Sequence, residues 1–280
     1  MSLLKMTKSQ FHIMMLPPEL TEKIMYFAFF GQDSPDMETL DSCRKVCLAW
    51  SEMIKRNKEW GIITQSKIEK TWAKPGVPDS FPSYKMIAQA KALESEGILP
   101  TGVMESLAGR VREEVNGGGG SLQVITTAAS MAHKGLLGTV ERLRLCDDLT
   151  SVPSEHMASL VSSVTGRIHI EIVSRCDLMT ILDSVNSQEL EIYDQSLGRE
   201  ETEALVRALE TRVEKVQLGY MDLDIETLVK YNGRGKCMLV SCYSDFADKY
   251  IYSQKLKTWA KRIHWEVIPN GFLFFKLKRP

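Results

Sequence analysis

The histidines and cysteines are the side chains of this sequence best suited to nucleophilic or metal chemistry, but their spacing favours neither. The five histidines are scattered, and none stands at metal-ligand spacing from a cysteine. A catalytic thiol needs a neighbouring base, and neither Cys146 nor Cys237 has an identifiable partner. Asp147 and Asp148 follow a predicted strand, but an adjacent carboxylate pair is more typical of a solvated turn. We therefore expect no catalytic residues, no metal and no cofactor.

Sequence motifs of common enzymes are missing as well. The chain has no Gly-x-Ser-x-Gly elbow, no His-Glu-x-x-His pair and no phosphate-binding Gly-Lys-Ser/Thr loop. The four glycines at 117–120 are neither preceded by a strand nor followed by Gly-Lys-Ser/Thr, which favours a flexible hinge. The sequence predicts a protein that is not an enzyme, with a small α/β enzyme whose site goes unrecognised as the alternative.

Polar side chains in the second half form a candidate binding surface. They alternate with apolar residues along four predicted strands, so they share one face of a sheet. The inward positions are Leu143, Leu145, Ile170, Ile172, Leu190, Ile192, Val216 and Leu218. The candidate target-binding residues are Arg142, Arg144, His169, Glu171, Glu191, Tyr193, Lys215 and Gln217, with Glu189 beside them. They form either a ladder of cross-strand charge pairs or a groove that selects an acidic or phosphorylated segment, with Tyr193 as its anchor.

The strands that position this surface recur at a regular spacing. The fourth position of an apolar template falls at residues 143, 170, 190, 216 and 238, within the period of about 20–29 residues of one solenoid family. Helical patterns separate them at 154–164, 177–185, 199–210, 224–231 and 245–262. The region resembles the longer, helix-bearing leucine-rich repeats, without their asparagine at the ninth position. The alternative is an ordinary α/β domain with a parallel sheet.

The end of the sequence predicts a closing element for the repeats. Residues 264–268 have the pattern of a last repeat strand, and a Pro-Asn-Gly turn leads to a second apolar segment at 272–277. We expect the second segment to pair with the first as a hairpin that caps the open edge of the sheet.

The first part of the chain predicts a small helical module with more apolar surface than it can bury. Pro17 and Pro18 suit a first helical turn, and Leu20 and Ile24 lie one turn apart after them. A second helix is expected to carry the apolar residues from Leu40 to Trp50 on one face, and a third the residues up to Trp60. A unit of this size buries only part of its surface, so the remaining apolar face is expected to be an interface.

These residues carry a resemblance to a known family. The run Leu-Pro-Pro-Glu-Leu at 16–20, the run Cys-Arg-Lys-Val-Cys at 43–47, Trp50 and Trp60 resemble an F-box, although the connection at 31–39 is longer than usual. The resemblance implies docking on the Skp-type linker subunit of cullin-based ubiquitin ligases. The positions that match the contact motif are Leu16, Pro17, Leu20, Ile24, Leu40, Val46 and Trp50.

The predicted organisation follows from these segments. We expect an F-box at 12–65, a linker and helical bridge at 66–135 with helices near 84–96, 101–115 and 121–134, and a leucine-rich-repeat-like substrate-binding domain at 136–280. The expected fold class is mixed α/β. The expected function is that of a substrate-recognition subunit of an SCF-type (Skp–cullin–F-box) ubiquitin ligase. A scaffold that binds the linker subunit without ubiquitinating a target is the alternative.

The amino-acid composition argues against nucleic-acid-binding, membrane-spanning and disulfide-bonded classes of protein. Lys and Arg number 35 against 36 Asp and Glu, so the net charge of −1 gives no support to nucleic-acid binding. The longest apolar run, 24–30, is far shorter than the roughly 20 residues of a membrane-spanning helix. Six cysteines without regular spacing indicate reduced thiols. We expect a cytoplasmic or nuclear protein whose partners are proteins, with no nucleic acid and no membrane.

Overall fold

The structure is a computed structural model that divides into two compact units, Met1–Ala108 and Gly109–Pro280. It describes residues 17–25, 37–46, 48–72, 82–118, 120–146, 149–171, 174–193, 196–224, 227, 237–242, 254, 257–258, 261, 266–269 and 274–278. The mixed α/β class expected from the sequence is confirmed, because helices build the first unit and strands alternate with helices in the second. Within these residues, no helix is long and apolar enough to cross a membrane.

The first unit is helical throughout its described part. Its helices are α1 (Pro18–Met25), α2 (Met37–Arg44), α3 (Leu48–Arg56), α4 (Lys58–Trp72) and α5 (Tyr84–Ser95), and α6 (Val103–Asn116) runs across the boundary into the second unit. A proline begins α1 because the first turn has no intrahelical acceptor for its amide. The largest fully buried side chains of the first unit are those of Leu40, Ile54, Ile87, Leu93 and Leu107.

The segment between Leu40 and Trp50 forms two helices, so the prediction of one continuous helix was wrong. Helix α2 ends where Lys45 and Val46 donate backbone hydrogen bonds to carbonyls three residues earlier, at 3.2 and 3.1 Å. Such bonds tighten the last turn and stop the α-helical ladder. Helix α3 begins at Leu48, so Trp50 is buried within a different helix from Leu40. Val46 is left exposed in the turn.

A buried carboxylate organises the polar side of this helical unit. Asp41 on α2 accepts a bond of 2.8 Å from the Arg44 Nε and one of 2.5 Å from the Lys45 Nζ. Arg44 also pairs with Glu96 just beyond α5, and this pair joins α2 to α5. Burial by itself raises the pKa of Asp41, but the hydrogen bonds from Lys45 and Arg44 outweigh burial and lower that pKa below its usual value.

The second unit continues from α6 as a sheet with intervening helices. In chain order the elements are α7 (Leu122–His133), β1 (Val140–Leu145), α8 (Ser154–Ser162), β2 (Val164–Glu171), α9 (Arg175–Ser184), β3 (Glu189–Tyr193), β4 (Ser196–Leu197), α10 (Arg199–Thr211), β5 (Lys215–Leu223), β6 (Cys237–Cys242), β7 (Glu266–Pro269) and β8 (Phe274–Lys278). Serine hydroxyls at Ser121 and Ser174 cap α7 and α9, as short polar side chains do at helix starts.

The strands of the second unit form a sheet in the order β1-β2-β3-β5-β6-β8-β7, with the short β4 paired to β5. All pairs from β1 to β6 are parallel, as expected from strands separated by helices. Helices α7 to α10 pack each against the next, and α8 and α10 contact the sheet.

Alternation along the strands is confirmed for the described positions. The expected inward residues are at most 2% exposed: Leu143, Leu145, Ile170, Leu190, Ile192, Val216 and Leu218. Ile172 lies outside the described residues. The residues between them are half-buried or exposed, so one face of this parallel sheet is polar. Parallel sheets are usually covered on both faces, and the polar face therefore calls for a functional explanation.

The C-terminal hairpin joins the sheet in a different arrangement from the one expected. Strand β8 pairs antiparallel with both β6 and β7, so it lies between them. The prediction that 264–268 would be the next repeat strand was therefore wrong, because β7 contacts β8 and occupies the edge. The hairpin itself is confirmed, and its second strand closes the series of parallel strands.

Candidate functional site

The charged face is our name for the polar side of strands β1, β2, β3 and β5. Strand register arranges its residues in three rows across the sheet. The first row is Arg142, Arg167, Glu189 and Lys215; the second is Arg144, His169, Glu191 and Gln217; the third is Glu171, Tyr193 and Gly219. The structure therefore brings together all eight residues that the sequence proposed for target binding.

The first row is held by a carboxylate that bridges two cations. The Glu189 carboxylate lies 2.8 Å from the Arg167 Nη2 and 2.5 Å from the Lys215 Nζ. The hydrogen bond from Lys215, followed by the one from Arg167, lowers the pKa of Glu189 although burial opposes the shift. Arg167 also reaches Glu191 in the second row, at 3.4 Å. The Arg142 guanidinium, in contrast, forms no ion pair with any described residue.

The second and third rows are joined through a histidine. The His169 Nδ1 lies 3.0 Å from the Glu191 Oε2, and its Nε2 lies 3.6 Å from the Glu171 Oε2. Arg144 approaches the same Glu171 oxygen at 3.3 Å. The hydrogen bond from Arg144, followed by the proximity of His169, lowers the pKa of Glu171. Each carboxylate on the charged face is thus an acceptor for cationic groups of neighbouring strands.

Tyr193 is held in place from two sides. Its ring lies 5.0 Å from the His169 ring, and its hydroxyl accepts a hydrogen bond from the Gln217 side chain. Burial, and then the charge of Glu191, raise the pKa of the Tyr193 hydroxyl. The ring covers Gly219 so closely that a Cβ there would stand 2.2 Å from the tyrosine Cδ1. Gly219 is therefore required by the position of Tyr193, which forms a fixed aromatic platform.

The cations of the charged face extend further into solvent than the carboxylates. The side chains of Arg144, Arg167 and Lys215 are 51 to 59% exposed, whereas those of Glu171, Glu189 and Glu191 are 18 to 33% exposed. A ligand that approaches this face meets guanidinium and ammonium groups first, with the carboxylates beneath them. The geometry suits a negatively charged segment, because arginine offers paired donors for carboxylate and phosphate oxygens.

Sequence reasoning missed Arg167, the residue that links the first two rows. The sequence pattern placed the second strand around Ile170, but β2 begins at Val164 and so includes Arg167 opposite Arg142 and Glu189. Continuing the alternation backward from His169 would have found it, because every second residue of a strand shares a face.

Cys146 has close partners that the sequence did not indicate. The Arg144 Nε donates to the Cys146 Sγ at 2.9 Å. Cys146, His169 and Glu171 each also offer one metal-ligating atom, and these atoms lie within 4.8 Å of one another. The parallel register of β1 and β2 produces this proximity, because Leu145 stands opposite Ile170. A metal ion there would compete with Arg144, which already contacts both the thiol and the Glu171 carboxylate.

In the first unit, the residues expected to contact a linker subunit divide into exposed and buried groups. Pro17, Leu20, Ile24 and Val46 are exposed, whereas Leu40 and Trp50 are buried and so belong to the core. Leu16 lies outside the described residues. Leu20 and Ile24 lie one turn apart on α1, where both reach solvent.

Leu48 extends the exposed apolar surface and was not singled out from the sequence. It begins α3 and is 84% exposed, two residues after Val46, which is 54% exposed. A cavity of about 760 Å³ opens among α1, α3 and the start of α4, with Thr21, Trp50 and Met53 in its lining. None of its lining residues is a cysteine or a histidine.

Comparison with known proteins gives no family for this chain. No protein-family model matches the sequence, and no curated protein resembles it significantly. The F-box and leucine-rich-repeat resemblances therefore stay predictions.

Proposed function

We propose that this protein is a substrate-receptor subunit of a Skp–cullin–F-box type ubiquitin ligase. In this proposal the first unit binds the linker subunit and the charged face of the second unit holds a protein target. The protein itself performs no chemistry: it raises the effective concentration of the target near the ubiquitin-charged enzyme.

The observation that carries the proposal is the exposure of large apolar side chains at positions of the F-box-like motif. Leu20, Ile24 and Val46 leave substantial apolar area in water, and Leu48 adds to it. Burial of one such side chain is worth about 1.5–3 kcal/mol, so a partner that covers them gains considerable stability. Leu40 and Trp50 act in this proposal from below, as the buried core that supports the exposed residues.

The charged face supports the second half of the proposal. Its cations project beyond its carboxylates, and Tyr193 offers a half-buried ring among them. We expect the target to present an acidic or phosphorylated segment, which the exposed guanidinium groups bind while the aromatic ring packs against its apolar atoms.

Co-purification with the linker subunit tests the docking surface. The double variant Leu20→Asp/Ile24→Asp is expected to weaken association by more than about tenfold, because two apolar contacts are replaced by charges that must be desolvated. Leu122→Asp is the matched control: it places the same charge on an exposed leucine in the other unit, and it should bind as wild type does. Unchanged binding by a folded Leu20→Asp/Ile24→Asp variant would show that the proposal is wrong.

Recovery of cullin distinguishes the receptor from a scaffold. A receptor co-purifies with the cullin as well as with the linker subunit, and its target accumulates when the proteasome is blocked. Association with the linker subunit without cullin would instead support a scaffold that ubiquitinates nothing.

A further inference from the structure

A second cluster of metal-ligating side chains lies on the helices of the second unit, away from the charged rows. His133 is the last residue of α7, and Glu155 and His156 lie in the first turn of α8. One ligating atom from each of the three residues lies within 4.8 Å of the other two. The two imidazole rings stack with their centroids 4.3 Å apart and their planes 28° from parallel.

Two serines hold the imidazoles from the opposite helix. The Ser159 hydroxyl on α8 donates to the Glu155 carbonyl at 2.8 Å, and its oxygen lies 3.5 Å from the His133 Nδ1. In the tautomer of His133 that donates from Nδ1 to this oxygen, the Nε2 keeps its lone pair for a ligand. On α7, the Ser130 hydroxyl lies 3.4 Å from the His156 Nδ1.

The placement of Ser130 and Ser159 suits a requirement of ligating histidines. One ring nitrogen binds the metal, and the other is hydrogen-bonded to an outer partner that fixes the orientation of the ring. The Nε2 of His156 lies 3.9 Å from the Glu155 Oε1, so a carboxylate oxygen accompanies the nitrogen donor. The C-terminal end of α7, where His133 lies, carries a partial negative charge that favours a cation.

We propose that His133, Glu155 and His156 form a binding site for a divalent transition metal of the zinc class. Two imidazole nitrogens and one carboxylate oxygen are a donor set that zinc takes with one remaining position for water, whereas magnesium and calcium prefer oxygen alone. The Glu155 side chain is 72% exposed, so an ion reaches the site from solvent. The bound ion links α7 to α8, and its effect is independent of the ubiquitin-ligase proposal.

Calorimetric titration of the chelator-treated full chain with ZnCl₂ tests the site. We expect zinc to bind at this site and Mg²⁺ not to displace it. The melting temperature of the protein should also rise, because an ion that binds only the folded state stabilises that state. His133→Ala/His156→Ala should abolish this binding. Glu155→Gln alters one exposed ligand, so it should weaken zinc binding without changing the fold. Ser159→Ala leaves all ligands in place and should lower affinity by about tenfold.

The Cys146 cluster requires a separate control. Cys146→Ser should retain zinc binding at the helical site, and Co²⁺ bound there should show no thiolate-to-metal charge-transfer absorption. Two results would overturn the proposal: a wild-type chain that binds no zinc, or zinc binding that survives His133→Ala/His156→Ala unchanged. Loss of that binding in Cys146→Ser would then place the ion at the Cys146 cluster. Both results leave the linker-binding test unaffected.

Discussion

Gly219 determines whether the aromatic platform of the charged face can form. Tyr193 of the neighbouring strand lies across it, and any side chain at 219 would occupy the space of that ring. The absence of a Cβ is therefore a packing requirement of the face.

Gly219→Ala is expected to destabilise the second unit by about 1–3 kcal/mol, because the added methyl overpacks a buried position and displaces the tyrosine. Urea denaturation measures the loss. Gly109→Ala on α6 is the matched control, because its added methyl approaches only the Arg112 side chain at 3.7 Å and helical alanine is favoured. An equal loss in both variants would contradict the role given to Tyr193.

Single residues also show where sequence reasoning reached its limit. The buried positions from Leu143 to Leu218 were predicted because a period of two is a local property of a strand. The stacking of His133 on His156 was not, because residues 23 positions apart meet only through the packing of α7 on α8. The exposure of Leu48 was not predicted, because the break between α2 and α3 depends on two hydrogen bonds of the turn. The pattern of residue types does not indicate these bonds.

At the scale of elements, the strands of the charged face are joined side by side through carboxylates. Glu171 and Glu189 both have pKa values lowered by cations of neighbouring strands, and Asp41 on α2 has a lowered pKa in the first unit. A carboxyl group whose folded pKa is lower than its unfolded value stabilises the fold above the unfolded value of about 4. That stabilisation is lost as the pH falls through the folded pKa.

We therefore expect the free energy of unfolding to decrease on acidification below about pH 4. In the Glu189→Gln variant, the free energy of unfolding should decrease less steeply with pH. The variant should also be less stable than wild type at pH 7, where Glu189 otherwise bridges Arg167 and Lys215. Urea unfolding over a pH series measures both effects. Glu113→Gln, an exposed change on α6, serves as the control and should follow the wild-type curve. If the free energy of unfolding of Glu189→Gln followed a pH curve parallel to that of the wild type, the ion pairs of Glu189 with Arg167 and Lys215 would not stabilise the fold.

At the scale of the whole molecule, the small net charge gives no indication of the charged face. The total is −1, yet the charged face presents its cations outermost. The proposed attraction between this face and an acidic segment is therefore expected to be local, and salt should screen it over a distance of about 8–10 Å.

A fluorescein-labelled polyglutamate peptide is expected to bind the full chain with an affinity that decreases as salt is raised. Removing Arg142, Arg167 and Lys215 together by alanine substitution should cost about 0.2–1 kcal/mol per cation and flatten the salt dependence. Fluorescence anisotropy measures both. Arg110→Ala, an exposed arginine on α6, is the control and should not change binding. Identical binding by the triple variant would place the acidic ligand elsewhere.

The position of β8 between β6 and β7 also governs the order in which the sheet is completed during synthesis. Strand β8 is made after β7 but pairs with β6, so β7 has no partner in the sheet until the ribosome has produced β8. Until then β6 is an open strand edge, the kind of surface on which nascent chains associate. A premature stop codon between residues 270 and 273 would leave the edge of β6 uncovered in every molecule. A chaperone that binds exposed strands of nascent chains would be expected to bind at that edge.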